Sequence, residues 1–491
     1  MPTNKHLVIG NEERVGIRNV PQLSFAAFRQ TVIDLIKHGS RITALFGQPQ
    51  PNKQVRLYAV LTHPEGSALS IASTDVDRSY PALTPDIPQA HRFERELAEE
   101  WGMQPEGHPW LKPVRFTKTP IGITDFFKME GDEIHEVAVG PVHAGIIEPG
   151  HFRFQCHGER VFHLEISLGY QHRGVERALI GGPNKRTIHY AETLAGDTSI
   201  GHAITYCQVI EALARCDVPI RAQMLRGIAL ELERLANHTG DLGALANDIG
   251  FLPTASYCGR LRGDFLNLTA LLCGNRFGRG MIRPGGVGFD LDHARCEEFL
   301  ARLDAATKDV TSAVNLLWDT PSVMARFEEV GIVSRETCEA LGLVGIAARA
   351  CGLERDARFE FPSGVFRFFQ IPISTWHRGD VFARVYIRWL EIQRSIAFIR
   401  NLVKSLPDTP LCSKVGKLAP ETWVVSLVEG WRGEICHVAI TDKHGCFAVY
   451  KIVDPSFHNW SGLEMALRDQ QISDFPLCNK SFNLSYCGHD L

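Results

Sequence analysis

From Gly140 the chain reads Gly140-Pro141-Val142-His143-Ala144-Gly145-Ile146-Ile147-Glu148-Pro149-Gly150-His151. A second phrase is Leu168-Gly169-Tyr170-Gln171-His172-Arg173-Gly174-Val175-Glu176-Arg177. A third is Glu192-Thr193-Leu194-Ala195-Gly196-Asp197-Thr198-Ser199-Ile200-Gly201-His202. Phe152 and Phe154, then Val161, His163, Glu165 and Ser167, alternate with period two, which predicts a half-buried hairpin. Gly140, Pro141, Gly145, Pro149 and Gly150 mark bends before it. His143, Glu148, His151, His172, Arg173 and Glu176 fall near those bends. Polar groups at bends beside an apolar sheet are the usual lining of a buried site, and a solvated hairpin end is the alternative.

Composition narrows the class. A chain of 491 residues, 44% hydrophobic and 22% charged, is expected to form two or more domains. The net charge of −4, with no basic cluster, argues against a nucleic-acid surface. No run of about 18 apolar residues predicts a membrane span, and the start lacks the apolar core of a signal peptide. A cytoplasmic location is expected. The 13 cysteines include no Cys-x-x-Cys pair, the usual mark of a zinc or iron–sulfur ligand set, and read as small buried hydrophobes.

Residues 1–130 read as α+β. A helical pattern at Phe25–His38 precedes strand-like runs at 41–46, 55–62 and 69–74. A charged amphipathic helix from Phe93 ends at Gly102, and Gly107 and Pro109 make a turn. On composition alone that helix presents a solvated face. Lys112, Pro113, Lys118, Pro120 and Gly122 give residues 112–135 linker character. Segments 183–216, 219–248, 254–275 and 291–318 carry helical spacing. In the second, Leu225, Ile228, Leu232, Leu235 and His238 share a face, and Asn237 and His238 read as core. The glycine-rich stretch 276–288 lacks the Gly-Lys-Ser/Thr ending and a preceding strand, so it is no phosphate loop. Arg349, Arg355, Asp356 and Arg358 form either a bidentate loop clasp or a surface ion cluster. Asp380 is placed to cap a helix running to about Leu402. Strand-like runs at 423–429, 435–441 and 446–453 follow.

The phrases at 140–143, 169–176 and 192–202 resemble the large subunit of group 4 nickel–iron hydrogenases and the 49-kDa (D-type) component of complex I. The resemblance covers about 135–491. Phe93-Glu94-Arg95-Glu96 and Gly107-His108-Pro109 resemble the 30-kDa (C-type) component of complex I, whose helix abuts the large subunit. The resemblance implies an α+β chain with two domains. Residues 1–125 would form an α/β domain like the 30-kDa component. Residues 136–491 would form a mostly helical hydrogenase large-subunit-like domain with small β-sheets, in which 345–358 lines the central cavity. It also implies an iron–sulfur small subunit (B-type in complex I), membrane ion-translocating subunits and a peripheral position on the inner face of the cell membrane.

The family's nickel–iron centre uses two cysteine pairs. Registered on His202, the first pair falls on Ala195 and Thr198. Aligned through Ser481, Tyr486 and Asp490, the second falls on Ser485 and Gly488, with Cys487 one position off. Soft thiolates are what this metal chemistry requires. The expectation is therefore no nickel–iron centre, no hydrogenase activity and no cofactor held by this chain. Nothing past Gly488 is expected to need trimming. The family's quinone-facing histidine and tyrosine fall on Ile147 and Gly196, so quinone or NAD(P)H chemistry would need other residues. His143, Glu148, Asp197 and His202 are the expected catalytic or proton-relay residues, with Tyr486 nearby. The alternative is a non-catalytic structural and coupling subunit.

Overall fold

The computed structural model describes residues 5–63, 66–143 and 147–491. Gly145, read above as a bend, and the first four residues lie outside them. The molecule is built on the strands Thr422–Glu429, Glu434–Thr441 and Phe447–Val453, paired in antiparallel order, with Val15–Gly16 added along the free edge of the first. The first two strands are buried throughout. Period two sorts their side chains between two cores. Trp423, Val425 and Leu427 join a cluster with the N-terminal sheet, while Val424 and Val428 join the helical core. Trp423 lies against Phe46 and Tyr58, with ring centroids 6.2 and 5.7 Å away.

The N-terminal sheet runs Leu7–Gly10, Ala68–Val76, Val55–Thr62, Ile42–Pro49, with Gln22–Leu23 parallel to the second. Helix Phe25–Lys37 begins at Ser24, whose hydroxyl accepts from Ala27 N. The charged helix His91–Trp101 stops at Gly102, which adopts φ 68° to close it. Its surface is not the solvated face that composition suggests. Arg92, Phe93, Glu94, Glu96 and Leu97 are buried. Glu94 accepts from Leu83 N, Thr84 N and Thr84 Oγ1. Arg115 and Lys451 both pair with Glu96. Charge is tolerated there because each carboxylate meets donors.

The predicted hairpin is His151–His157 with Arg160–Ser167, and it gains a third strand, Ile134–Val139. That strand lies where the sequence suggested the end of the linker. The helical segment predicted over 183–216 is two helices, Thr187–Glu192 and Ser199–Ala214. Helices Ile220–Asp248, Leu252–Cys273 and His293–Trp318 follow the predicted spans. The stretch 276–288 holds a two-stranded ribbon whose Gly285 and Gly286 pack against the backbone at 411–413. Asp380 caps Val381–Lys404, accepting from Ala383 N at 2.8 Å. No helix among the described residues is long and apolar enough to cross a membrane.

Candidate functional site

The break between Thr187–Glu192 and Ser199–Ala214 makes the site. Residues 193–198 leave the helical path, and the carboxylate of Glu233, from the neighbouring helix, takes Ile200 N and Gly201 N at 2.7 and 3.1 Å. These are orphan donors of a helix start, which a carboxylate satisfies. Burial nevertheless pushes the Glu233 carboxyl up to about 8, with Asp197 adding to it.

Asp197 lies in the break. Its two oxygens accept from Arg432 at 2.6 and 2.8 Å, a bidentate pair. Burial alone would raise the Asp197 carboxyl, but Arg432 outweighs it and holds the group below the usual carboxylate range. Trp431 Nε1 donates to Asp197 O and to Thr198 Oγ1 at 3.0 and 3.1 Å. Arg432 Nε reaches across to Asn483 O at 2.5 Å, and Arg173 ties Leu194 O at 2.9 Å to Cys487 O at 3.5 Å. The break at 195–198 and the C-terminal turn at 483–488 are thus held together.

At that turn Ser485 caps the helix Tyr486–Asp490 by accepting from Gly488 N at 2.9 Å. Glu148 accepts from Tyr486 N and Cys487 N at 3.2 and 3.4 Å. Burial pushes the Cys487 thiol up to about 12, and Glu148 adds to it, so it stays a thiol. His143 sits edge-on to Phe152, ring centroids 5.6 Å apart, and its two buried ring nitrogens have no hydrogen-bond partner among the described residues. Tyr486 packs edge-on against Trp460.

His202 is fully buried and starts a string of side chains. Its Nε2 meets Asp454 Oδ2 at 3.0 Å and its Nδ1 meets His437 Nε2 at 3.1 Å. His437 Nδ1 meets the Tyr450 hydroxyl at 2.9 Å. Burial, then His202, depresses His437 well below the ordinary histidine range. Burial works against the Asp454 carboxylate, but His202 and Arg432 hold it low. Asp454 also caps the helix Pro455–Ala466 through Ser456 N. This string has two hydrogen-bonded arrangements. With His202 neutral, His437 donates to it and Tyr450 donates to His437. With His202 protonated, the direction of both bonds reverses. A string of this kind moves a proton without moving heavy atoms.

The fit of a thiolate-held metal can be judged from the four positions. Ala195 has no ligating atom and is buried. Thr198 Oγ1 is engaged with Trp431 and Arg432, and Ser485 Oγ with the helix start. Gly488 has no side chain, and a Cβ there would stand 2.7 Å from Asp454 Oδ2. No group of three or more histidine, cysteine or acidic side chains among the described residues is arranged to hold a metal. The residues present do not fit a nickel–iron centre.

Four of the five residues named from sequence, Glu148, Asp197, His202 and Tyr486, are anchored around this junction, and His143 packs on Phe152 beside it. Sequence reasoning missed Glu233, Arg432, His437, Tyr450 and Asp454. A histidine between Cys436 and Val438 in an apolar strand reads as core, and Arg432 lies in a hairpin turn where a solvated charge is ordinary.

A family model described as the 49 Kd subunit of respiratory-chain NADH dehydrogenase matches residues 248–422. Carbon monoxide-induced hydrogenase of Rhodospirillum rubrum is 30% identical over 352 residues, 71% of this chain and 97% of that protein. The D-type NADH-quinone oxidoreductase component of Carboxydothermus hydrogenoformans is 30% identical over 343 residues, covering 69% and 93%. Formate hydrogenlyase subunit 5 of Escherichia coli (strain K12) is 28% identical over 482 residues, covering 92% and 84%. With the phrases quoted above and the mixed helix–sheet fold, these likenesses show that the chain belongs to the family of hydrogenase large subunits and complex I 49-kDa (D-type) proteins.

Proposed function

We propose that this chain is the large subunit of a membrane-associated, complex I-like oxidoreductase that works in electron transfer without a nickel–iron centre. The observation that carries the reading is the filled junction. Where the family's thiolates would converge stand Ala195, Thr198, Ser485 and Gly488, and the space is taken by the Asp197–Arg432 pair and by Asp454. What remains is a set of proton-handling groups, His143, Glu148 and the Asp454–His202–His437–Tyr450 string, with Asp197 held ionised beside them by Arg432. Their role is to accept, hold and pass protons beside a redox reaction carried by partner cofactors.

The family relationship supports an iron–sulfur small subunit (B-type) and ion-translocating membrane subunits as partners, and a quinone-linked or NAD(P)H-linked reaction. The names of the relatives support the same assembly, since they include a quinone oxidoreductase subunit, a formate hydrogenlyase subunit and a membrane-bound hydrogenase subunit of Pyrococcus furiosus. A peripheral position on the cytoplasmic face follows from that assembly. Residues 1–125 act as a built-in domain of the 30-kDa (C-type) kind. The packing of helix His91–Trp101 on Phe457, Ser461 and Glu464 supports this.

A second reading is a non-catalytic coupling subunit. It is favoured by one observation, that the polar atoms at the four ligand positions are already satisfied by internal bonds. The test uses the assembled complex with His143→Ala, Glu148→Gln and His202→Asn. Assembly is read by co-purification and turnover by dye or quinone reduction on the same sample. The proposal expects normal assembly with turnover reduced about 100-fold or more, the scale of lost acid–base catalysis. Normal assembly with unchanged turnover in all three variants sinks it and favours the coupling role.

A further inference from the structure

Strand Thr422–Glu429 ends in a buried charge cluster that the proposed reaction does not use. Arg234 bonds Glu231 at 3.0 Å and Glu391 at 3.1 Å. Arg349 bonds Glu391 at 2.6 Å and Glu429 at 2.7 Å. Arg358 bonds Asp356 at 2.6 Å and Glu231 at 3.2 Å. All seven side chains are buried. His238 also meets Glu391, at 2.8 Å, but burial lowers its imidazole to about 4, so it is neutral at neutral pH.

Three guanidinium groups therefore face four carboxylates. At the rim, Arg41 pairs with Glu434, Arg355 stands near Glu360, and Arg394, half-buried at the edge of the cluster, gives its hydrogen bonds to Pro372 O and Ser374 Oγ. An uncompensated charge at this depth is costly, and taking up a proton removes it. Glu429 is the member placed to do so. It is the cross-strand partner of Glu434, so two carboxylates stand opposite each other on one face. Its donors are Arg349 at 2.7 Å and Ala357 N at 3.0 Å, and Arg349 is shared with Glu391.

We propose that this cluster is an exchangeable-proton site, with Glu429 as the group that carries the proton. Burial, with Asp356 next, pushes its carboxyl up to about 7 against the pull of Arg349, Arg358 and Arg234. The site touches the junction through residues 430–432. Arg234 holds Glu429 O and Gly430 O at 2.8 and 3.1 Å, and the next two residues hold Asp197 and Thr198. A change of charge at Glu429 thus acts on the turn that carries Arg432.

The test is infrared spectroscopy of the carboxyl C=O absorption of the purified full-length chain, titrated across neutral pH. Glu12, Glu100 and Glu360, at about 7, and Glu233, at about 8, titrate in the same range and remain as an internal reference. Glu429→Gln should remove one carboxyl's share of the amplitude with the circular dichroism unchanged. Glu391→Gln should keep that share but move it to lower pH, because it removes a negative neighbour. An unchanged amplitude in folded Glu429→Gln overturns the proposal. Should that variant not fold, Glu391→Gln decides: a downward shift supports the site, and an unshifted titration overturns it.

Discussion

Gly488→Ala is the sharpest perturbation of the junction. Gly488 lies inside the helix Tyr486–Asp490, where glycine has no conformational role of its own. Helix propensity alone predicts that alanine stabilises by about 1 kcal/mol. The structure reverses the sign. The added Cβ would stand 2.7 Å from Asp454 Cγ and Oδ2 and 2.9 Å from Ser485 Oγ. Asp454 is fixed on three sides, by His202, by Ser456 N and by its place at the start of Pro455–Ala466, so it cannot simply rotate away. Overpacking costs about 1–3 kcal/mol. Loosening the buried Asp454–His202 bond adds roughly 1.5–3 kcal/mol. The net expectation is destabilisation by about 1.5–5 kcal/mol, read as a lower urea midpoint at unchanged slope. Asp454→Ala removes the obstructing carboxylate while also losing a cap. The double variant Gly488→Ala/Asp454→Ala should therefore be more stable than the sum of the singles, by about 1–3 kcal/mol. A stable Gly488→Ala, or additive singles, would refute the idea that the Asp454 carboxylate fills the place of a side chain at 488.

Arg432→Ala strands Asp197, whose side chain is a third exposed, so water offsets part of the loss. A cost of about 1–3 kcal/mol is expected, below the full penalty for a broken buried pair, and Arg432→Lys should recover little of it because the pair is bidentate. Stability should also depend on pH in both directions. Glu233 and Glu429 are raised to about 8 and about 7, so the folded chain binds their protons more tightly than the unfolded chain. That contribution is full at acid pH and is lost as pH rises through 7 to 8. Glu391 and Asp356 are held low despite burial, chiefly by arginines, and their contribution is lost as pH falls below the ordinary carboxylate range. The urea midpoint should peak at mildly acid pH, and a midpoint that rises steadily to alkaline pH contradicts these assignments.

Much of the fold was readable because periodicity and punctuation act locally. Gly102 and Asp380 are a helix stop and a cap that the sequence displays, and the strands at 423–453 are bounded by turns. What was not readable came from long-range pairing. The helical pattern across 183–216 does not reveal that Glu233 draws a new helix start at Ser199. The Phe93 helix looks solvated because its charges are paired with Arg115 and Lys451, which are distant in sequence. Likewise the residues 349–358 read as either a loop clasp or a surface ion cluster. Arg358 does clasp Asp356 with two bonds, but the buried Glu231, Glu391 and Glu429 that the fold sets around Arg349 and Arg358 were not readable. At the junction, Asp197 and His202 were visible as chemistry-bearing residues in a marked phrase. Their partners Arg432, His437 and Asp454 were not, since they sit in a turn, in a strand and at a helix start, where a structural role is ordinary.

The central claim is that the junction between 195–198 and 485–488 handles protons and holds no nickel–iron centre. Elemental analysis of the assembled complex, purified without chelators from nickel-replete cells, tests it most directly. The prediction is no stoichiometric nickel in a complex that retains its electron-transfer turnover. Nickel bound in stoichiometric amount to this chain, and lost from an Asp454 or His202 variant, would contradict it.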